Sequence, residues 1–400
     1  MKACGLVVEY NPFHHGHLYH VQKAKQLTNS DVTIAIMSGS FLQRGEPAII
    51  DKFKRTEAAL QAGVDIVLEL PYAYAVQSSN LFAKGALLSL NKLGVTSICF
   101  GSELGKVEPF IDHIQQMNQK KDQFDSYVQT FMKNGLSYPK SLSAAYEQIG
   151  IKNHHVTKPN NILGFHYIKT ISDYNLSIEP YTIKRIANEY HDKQIEGSIA
   201  SATSIRAHLQ VDSNTAPIQH TLPEPSLLAL QQYFQKTNKF HDWEDYFPSL
   251  YYKIITSQMK DLADIHLMEE GIENRIKTLI EKTTSFEGLM QKLTTSRYTN
   301  SRLQRGLTHI LTNTSKEEMQ QFHREEIPYI RILGMNKQGQ AYINQQKKQL
   351  DVPLLTKLQR KNAALLKMEE RASKTYYSIL APNVRQKLFR QELQLPIIIK

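Results

Sequence analysis

Short apolar segments alternate with amphipathic segments through the first half of the chain. Four apolar segments have the length of buried strands, and they cover residues 3–8, 32–37, 66–70 and 97–100. The segments between them repeat apolar residues at helical spacing, at residues 18–27, 56–62 and 81–93. A fifth strand at 178–183 contains Pro180, which favours an edge position. Apolar strands separated by helices predict an α/β fold with a parallel sheet covered on both faces.

The pattern changes after residue 211. Residues 212–225 carry three prolines among polar residues, and we interpret this segment as a linker. Apolar positions beyond it mostly follow helical spacing, apart from one predicted strand pair at 329–333 and 340–343. The sequence thus predicts a first domain over residues 1–211 and a mostly helical second domain over residues 226–400.

Composition narrows the class of protein. The 400 residues carry 48 Lys and Arg against 38 Asp and Glu, a net charge of +10, which fits either a nucleic acid partner or a solubilising surface. No window reaches the roughly 18 apolar residues of a spanning helix, and the first residues lack a signal-peptide pattern. Cys4 and Cys99 are too few for a disulfide framework or a cysteine-rich metal site. We expect a cytoplasmic protein without a membrane partner.

The segment after the first strand carries the most informative chemistry. Ligands of parallel sheets bind beyond the carboxyl ends of the strands, and residues 11–17 there read Asn-Pro-Phe-His-His-Gly-His. His14 and His17 are three positions apart and share one face of a helical turn, while Gly16 lets a ligand approach the backbone. A helix N-terminus and imidazole N–H groups suit phosphate oxygens. A metal site or incidental histidines remain alternatives, although no acidic or cysteine ligand stands beside them at metal spacing.

A second phosphate-binding candidate lies far downstream, at residues 201–206. Ser201 is a favourable helix N-cap. The hydroxyls of Thr203 and Ser204 and the guanidinium of Arg206 can bind the β- and γ-phosphates of a nucleotide. An ordinary capped helix with an exposed arginine is the alternative. We predict that this segment and the histidine segment converge around a single triphosphate.

These motifs resemble a known family. The histidine segment resembles the HxGH signature of the nucleotidyltransferase superfamily. The sequence is similar to the tRNA(Met) cytidine acetate ligase family at GLVVEYNPFH (5–14), MSGSFLQRGEP (37–47), FGSE (100–103), GLSYP (135–139), PNNILG (159–164), KR (184–185) and SRYTNSRLQR (296–305). The resemblance implies a Rossmann-like nucleotidyltransferase catalytic domain over residues 1–211, followed by a mostly α-helical, RNA-binding C-terminal domain over residues 226–400. It also implies that acetate and ATP form acetyl-adenylate, which acetylates N4 of the wobble cytidine of elongator tRNA(Met).

The resemblance also implies site residues. His14, His17 and Arg206 are the expected catalytic residues. The expected ATP contacts are Val7, Val8, Glu9, Tyr10, Asn11, Pro12, Phe13, His14, His15, Gly16, His17, Leu18, Tyr19, His20, Gly101, Asn160, Arg185, Ser201, Thr203 and Ser204. We expect Mg²⁺ to accompany the ATP, although no acidic cluster identifies a metal site held by the protein. Arg44 and Glu46 lie in a loop, residues 38–47, that is either a mobile cover or a static part of the surface.

Basic residues of the second half provide candidates for RNA contact. Residues 292–310 contain no acidic residue, and Arg297, Tyr298, Arg302 and Arg305 are the expected tRNA contacts. If this stretch is helical, Tyr298, Arg302 and Arg305 share a face that can follow phosphates and stack a base. A solvated helix face is the alternative, and it is favoured for a second basic run between Lys357 and Lys374.

Two other functions remain compatible with the sequence. The first is an adenylyltransferase that joins AMP to a small phosphorylated metabolite, and the large basic second half counts against it. The second is a non-catalytic RNA-binding protein with a relict nucleotide site. The presence of both phosphate-binding motifs counts against that function.

Overall fold

The computed structural model describes residues 1–150, 158–185 and 201–400. An eight-stranded sheet forms its centre, with the order β5-β4-β1-β2-β3-β6-β7 and with β8 paired to β6 outside this path. The strands are β1 (Ala3–Val8), β2 (Val32–Ser38), β3 (Ile66–Leu70), β4 (Ser97–Ser102), β5 (Glu179–Lys184), β6 (Ile330–Met335), β7 (Leu354–Leu355) and β8 (Ile397–Ile398). Strands β1 to β5 run parallel. The predicted α/β fold with a parallel sheet is therefore confirmed.

Helices cover both faces and extend over the second half. They are α1 (His15–Thr28), α2 (Lys52–Gln61), α3 (Tyr72–Ala75), α4 (Ser79–Lys92), α5 (Glu108–Gln119), α6 (Lys121–Lys133), α7 (Tyr138–Gln148), α8 (Pro159–Asp173), α9 (Ala202–Val211), α10 (Glu224–Thr237), α11 (Trp243–Thr256), α12 (Met259–Ala263), α13 (Ile272–Ile280), α14 (Phe286–Leu293), α15 (Asn300–Leu311), α16 (Lys316–Arg324), α17 (Lys337–Gln346), α18 (Lys367–Tyr377) and α19 (Pro382–Phe389). Three 3₁₀ helices cover Ala216–Thr221, Arg360–Asn362 and Arg390–Leu393.

The strands predicted in the first half form where the sequence indicates. All residues of β2 and β3 are buried, which explains their nearly unbroken apolar character. Strand β5 lies at the sheet edge and contains Pro180, which agrees with the poor fit of proline to a central strand. This arrangement brings the carboxyl ends of β1, β2, β4 and β5 to one edge of the sheet.

The second half also contributes strands to this sheet. Strand β6 pairs antiparallel with β3, and β7 and β8 then pair parallel with β6. The prediction of a second strand at 340–343 is wrong, because these residues belong to α17. The Asn336 side chain accepts a hydrogen bond from the Gly339 N–H (2.8 Å), and this cap starts a helix where the second strand was predicted. The division into domains at 211 and 226 stays a prediction, and one sheet runs through both parts.

Four buried charges fasten the second half to the sheet. Lys52 Nζ lies 2.7 Å from Glu69 and 2.9 Å from Glu392, and Arg331 lies 2.7 Å from Glu69. Arg331 also pairs with Glu392, so each charge has two partners of opposite sign. Removing one member would leave a buried charge without compensation, which is strongly destabilising.

In the described parts of the chain, no helix has the length and apolar character that a membrane crossing needs.

Candidate nucleotide site

The chain leaves β1 through a tightly fixed segment. Tyr10 has a left-handed backbone (φ 48°), and the Asn11–Pro12 peptide bond is cis. The buried guanidinium of Arg55 donates to the carbonyls of Glu9 (2.7 Å) and Ser38 (3.1 Å), so it joins the chain ends that leave β1 and β2. A left-handed conformation is uncommon for a bulky residue and is kept only where the surroundings determine it. The segment that leads to His14 and His17 therefore has a fixed backbone conformation.

His14 and His17 form a capping box at the start of α1. The His14 Nδ1 accepts a hydrogen bond from the Gly16 N–H (3.0 Å), and the His17 Nδ1 accepts one from the His14 N–H (3.3 Å). Their rings stack with centroids 3.9 Å apart. A backbone N–H can only donate, so this network assigns the proton of each neutral ring to Nε2. Each ring then has one N–H donor at Nε2, and the Pro12 carbonyl lies within hydrogen-bonding reach of the His17 ring.

The two rings are neutral at ordinary pH. Burial lowers the pKa of His14 to about 3, and the positive charges of Arg185 and Arg206 add to this shift. Burial also lowers the pKa of His17 well below its usual value, helped by His14 and Arg185. Both histidines can therefore donate hydrogen bonds without carrying a charge of their own. The nearby cations supply the positive charge of the site.

Arg206 brings the downstream segment to the histidines. Its guanidinium donates to the Asn11 carbonyl (3.0 Å) and pairs with Glu46 (3.3 Å). The two segments therefore meet at this edge of the sheet, and their joint binding of one triphosphate stays a prediction. Ser201 caps α9 by accepting from the Ser204 N–H (3.1 Å), and the buried Ser204 hydroxyl donates to the Ser201 carbonyl (2.9 Å), so these two hydroxyls already serve the cap. Thr203 is exposed on the first turn.

A polar network at the ends of β4 and β5 holds the other predicted ATP contacts. Arg185 donates to the Asn160 side-chain oxygen (2.9 Å), and Asn160 donates through Nδ2 to Glu103 (2.8 Å). A Cβ on Gly101 would lie 3.3 Å from the Arg185 side chain, so a larger residue would crowd the guanidinium. Glu103 was not predicted, although it stands in the FGSE motif. Its carboxylate also accepts from the Asn161 N–H (2.9 Å) and fixes the start of α8.

The stretch from Val7 to His20 has a mixed role. Val8, Tyr10 and Phe13 are buried core residues, so their side chains mainly shape the floor of the site. His20 Nε2 makes a hydrogen bond to the Cys99 carbonyl (3.0 Å), and burial lowers its pKa to about 4. Asn11 accepts from the Ile49 N–H (2.7 Å). These residues position the histidines. Pro12 is buried as well. The remaining members are partly exposed: Val7 in β1, and His15, Gly16, Leu18 and Tyr19 in α1.

Glu9 contributes a carboxylate at the carboxyl end of β1. One of its oxygens accepts a hydrogen bond from the Gln43 N–H (2.7 Å), which belongs to the loop 38–47. Burial raises the pKa of Glu9, and the nearby Glu46 adds to this effect, while the Gln43 bond, Arg206 and Arg44 oppose it. The site therefore combines neutral donors, cations and one carboxylate of increased basicity.

The loop 38–47 is a packed part of this site. Phe41 and Leu42 are buried, and Phe41 forms a bridge with Pro47. The Thr308 hydroxyl donates to the Gly45 carbonyl (2.7 Å). Gly45 has φ 85°, and a Cβ there would come within 2.6 Å of the Arg305 backbone. These contacts favour the static alternative over a mobile cover, and they connect the site to α15.

The predicted tRNA contacts lie around the start of α15. Arg297 pairs with Glu270 (3.0 Å), and Arg302 pairs with Glu269 (3.2 Å). Tyr298 precedes the helix and is only 8% exposed, with both guanidinium groups against its ring. Little of this ring is left for a stacked base. Burial lowers the pKa of Arg305 to about 10, and the Arg302 and Arg44 charges add to this shift.

Comparisons with known proteins agree with this geometry. The model of the family HIGH Nucleotidyl Transferase matches residues 1–392. The tRNA(Met) cytidine acetate ligase of Oceanobacillus iheyensis is 50% identical over 402 residues and covers 100% of both chains. The Bacillus subtilis protein of the same name is 43% identical, covering 98% of this chain and 96% of that one.

Solved structures give the same result. The apo crystal structure of Thermotoga maritima TmcAL has a TM-score of 0.92 and 31% identity, with 100% of each chain covered. The structure of that protein bound with alpha-thio ATP has a TM-score of 0.89 and 30% identity, again over 100% of each chain. Sequence and structure therefore show that the chain belongs to the HIGH Nucleotidyl Transferase family and to the family of the tRNA(Met) cytidine acetate ligases.

Proposed function

We propose that this protein uses ATP to activate acetate and then acetylates N4 of the wobble cytidine of elongator tRNA(Met). The observation that carries this proposal is the meeting of His14, His17, Arg185 and Arg206 at the carboxyl edge of the sheet. Family membership and the full-length likeness to named ligases support it.

In the first step, an acetate oxygen attacks the α-phosphorus of ATP. A phosphorus–oxygen bond to acetate forms, the bond to the β-phosphate bridge breaks, and pyrophosphate leaves. Acetate is already a carboxylate at neutral pH, so positioning and charge stabilisation dominate the catalysis. The Nε2–H groups of His14 and His17 donate to the phosphoryl oxygens. Arg185 and Arg206 balance the negative charge of the phosphates.

In the second step, the cytidine amine attacks the acetyl carbon. A carbon–nitrogen bond forms, the mixed anhydride bond breaks, and AMP leaves with the electron pair. N4 must also lose a proton, and we assign Glu9 as its acceptor. Two features support this assignment: the carboxylate stands beside Arg206 at the end of β1, and its raised pKa increases its strength as a base. The target base must leave the anticodon stack to reach this position.

Magnesium would enter with the nucleotide. The described residues contain no group of three or more His, Cys, Asp or Glu side chains that would hold a metal ion. Mg²⁺ commonly binds through substrate phosphates and water with few protein ligands, and it would neutralise phosphate charge. No step above is assigned to it.

A labelled-acetate assay tests the proposal. The protein is incubated with ATP, labelled acetate and an unmodified elongator tRNA(Met) transcript, and pyrophosphate and RNA-bound label are followed. A transcript with uridine at the wobble position is the matched control. We expect ATP-dependent label on the cytidine transcript alone. Pyrophosphate release with a phosphorylated metabolite, and none with acetate, would instead support the adenylyltransferase. RNA binding without any turnover would support the non-catalytic alternative.

The proposed RNA contacts include Arg297, Tyr298, Arg302 and Arg305, as the sequence indicates. Their acidic partners Glu269 and Glu270 reduce the charge that this face offers to phosphates. A substrate of this class would place the reaction in the cytoplasm.

A further inference from the structure

A groove lies between α18 and α19 at the C-terminal end of the chain. It has a volume of about 330 Å³ and is lined by Lys374, Tyr377, Arg385, Gln386 and Phe389. We call it the C-terminal groove. The Lys374 ammonium lies 5.6 Å above the Phe389 ring, so a cation and an aromatic face stand side by side.

The chain that forms α19 and follows it carries mostly positive charge, while Glu370 of α18 pairs with the lining residue Lys374. From residue 374 to residue 400 the chain carries five Lys and Arg residues and one acidic residue, Glu392. Glu392 is fully buried and paired with Lys52 and Arg331, so it does not offset the surface charge. Lys387 and Arg390 are exposed, and neither has an acidic partner within the described ranges. These two residues flank the lining of the groove rather than form it; of the lining cations, Lys374 pairs with Glu370 (2.7 Å) and Arg385 donates to the Ser378 carbonyl (3.3 Å).

The C-terminal groove is linked to the edge of the sheet that holds the nucleotide site. The Gln391 side chain, one residue beyond Arg390, donates to Asp51 (3.2 Å). The Tyr376 hydroxyl donates to the Ala48 carbonyl (2.7 Å). Residues 48–51 directly follow the loop whose Glu46 pairs with Arg206. These contacts join the segments that form the groove to the chain that directly follows the loop 38–47.

We propose that the C-terminal groove, together with the flanking Lys387 and Arg390, binds the sugar-phosphate backbone of the RNA substrate. This inference rests on the proposed function, since it takes tRNA as the partner. Exposed Lys and Arg side chains without acidic neighbours neutralise phosphates and release counterions, and such contacts set the position of an RNA without reading its sequence. The groove holds the tRNA body while the anticodon base reaches the acetyl-adenylate.

The experiment measures tRNA binding by a variant with Lys387→Ala and Arg390→Ala. Both side chains are exposed, so the fold should be kept, and the melting temperature checks this. We expect Kd to rise on the order of tenfold at 0.1 M salt, and the slope of log K against log salt to fall by about 1.5 for two lost phosphate contacts. Acetate-dependent pyrophosphate exchange should stay within about twofold of wild type, because neither residue touches the nucleotide site.

The matched control removes two exposed lysines from the opposite edge of the sheet, Lys347→Ala with Lys348→Ala. Asp351, which follows these lysines in the chain, pairs with Lys92 (2.7 Å). Lys92 ends α4 just before β4, so this pair lies at the edge of the sheet where the parallel strands begin. Equal loss of net charge there should change Kd by less than about twofold. A second variant, Lys387→Glu with Arg390→Glu, should weaken binding further than the alanine pair.

Two results would overturn the inference, and they differ from failure of the proposed function. In the first, wild type acetylates tRNA, but the groove variant and the control variant bind tRNA equally well. The groove is then not an RNA site, while the proposed function stands. If wild type neither binds nor acetylates tRNA, the proposed function fails and the groove inference fails with it.

Discussion

The nucleotide site and the C-terminal groove both present positive groups toward anions, but they are built differently. In the nucleotide site, His14 is 6% exposed, uncharged, and fixed by backbone N–H groups. Lys387 and Arg390, which flank the C-terminal groove, are exposed to solvent. A reacting phosphoryl group needs donors that are already in place when charge develops. Binding of a long RNA backbone depends on the number of positive charges, and the exact position of each charge matters little.

This difference separates the expected phenotypes. Changes in the nucleotide site should lower the rate of acetate activation with little dependence on salt, because the donors are short-range and partly shielded from solvent. Changes in the C-terminal groove should alter tRNA affinity and its salt dependence, and leave activation almost unaffected.

The largest effect is expected from His14→Asn. Asparagine is itself a good N-cap, so α1 should keep its start while the Nε2–H donor is lost. Loss of one preorganised donor should lower kcat for acetate activation by about 100- to 1,000-fold. The measurement is acetate-dependent pyrophosphate exchange at two salt concentrations. His220→Ala, at an exposed histidine of a 3₁₀ helix, is the control. A loss confined to tRNA affinity would remove the distinction between the two regions.

Glu9→Gln should affect the two chemical steps unequally. Glutamine keeps the oxygen that accepts the Gln43 N–H, but it cannot take a proton at neutral pH. We expect acetyl transfer to tRNA to fall by about 100-fold more than acetyl-adenylate formation. Single-turnover transfer and pyrophosphate exchange measure the two steps. Equal loss in both steps would assign Glu9 a positioning role in the loop 38–47.

Arg185→Lys should raise the KM for ATP about tenfold, the usual size of one hydrogen bond to a charged group. Lysine keeps the charge but loses the planar guanidinium that bonds to Asn160 (2.9 Å) while facing the histidines. The reciprocal exchange at the neighbouring cation, Lys184→Arg, is the control. If both exchanges leave KM unchanged, Arg185 does not contact the nucleotide.

The nucleotide site was largely predictable because its residues are close in the sequence or follow strands. His14, Gly16 and His17 lie within one helical turn, and their spacing alone indicates a shared face. The meeting of Arg206 with Asn11 required the resemblance, since 195 positions separate the two residues. The neutral state of the histidines depends on burial, which periodicity does not provide. Glu103 was missed because its contacts reach over 57 positions to residues of α8.

The C-terminal contribution to the sheet and the sign of the surface charge were not predictable. Strand β6 joins β3 across more than 260 positions, and nothing local indicates which edge it takes. The run 292–310 contains no acid, yet Glu269 and Glu270 reach it from a loop that precedes α13. Conversely, the acid in the last segment, Glu392, is buried among cations. The charged residues of a sequence segment therefore predict the surface charge of that segment only when their ion-pair partners elsewhere in the chain are known.

Arg302→Ala should have a much smaller effect than the groove variant. Its guanidinium already lies 3.2 Å from Glu269, so the substitution removes one charge and exposes another of opposite sign. We expect tRNA Kd to change by about twofold at 0.1 M salt, in the range of a surface ion pair. Salt titration with Arg390→Ala in parallel is the comparison. If Arg302→Ala weakens binding as much as Arg390→Ala, the α15 face contributes equally to RNA binding.

The smallest effect is expected from pH: the rate of acetate activation should stay nearly constant. The pKa of His14 is lowered to about 3, so the imidazole stays neutral through pH 6 to 8, and His17 is shifted in the same direction. A lowered histidine pKa means that the protonated form appears only in acid well below this range. Acetate activation, measured by pyrophosphate exchange without tRNA, should therefore vary by less than about twofold between pH 6 and 8. If imidazolium were the active form, the rate would rise as pH falls through the ordinary histidine pKa. Such a rise would mean that the nucleotide site relies on charged histidines, in the way that the C-terminal groove is proposed to rely on charged side chains. The contrast between the two regions would then be wrong.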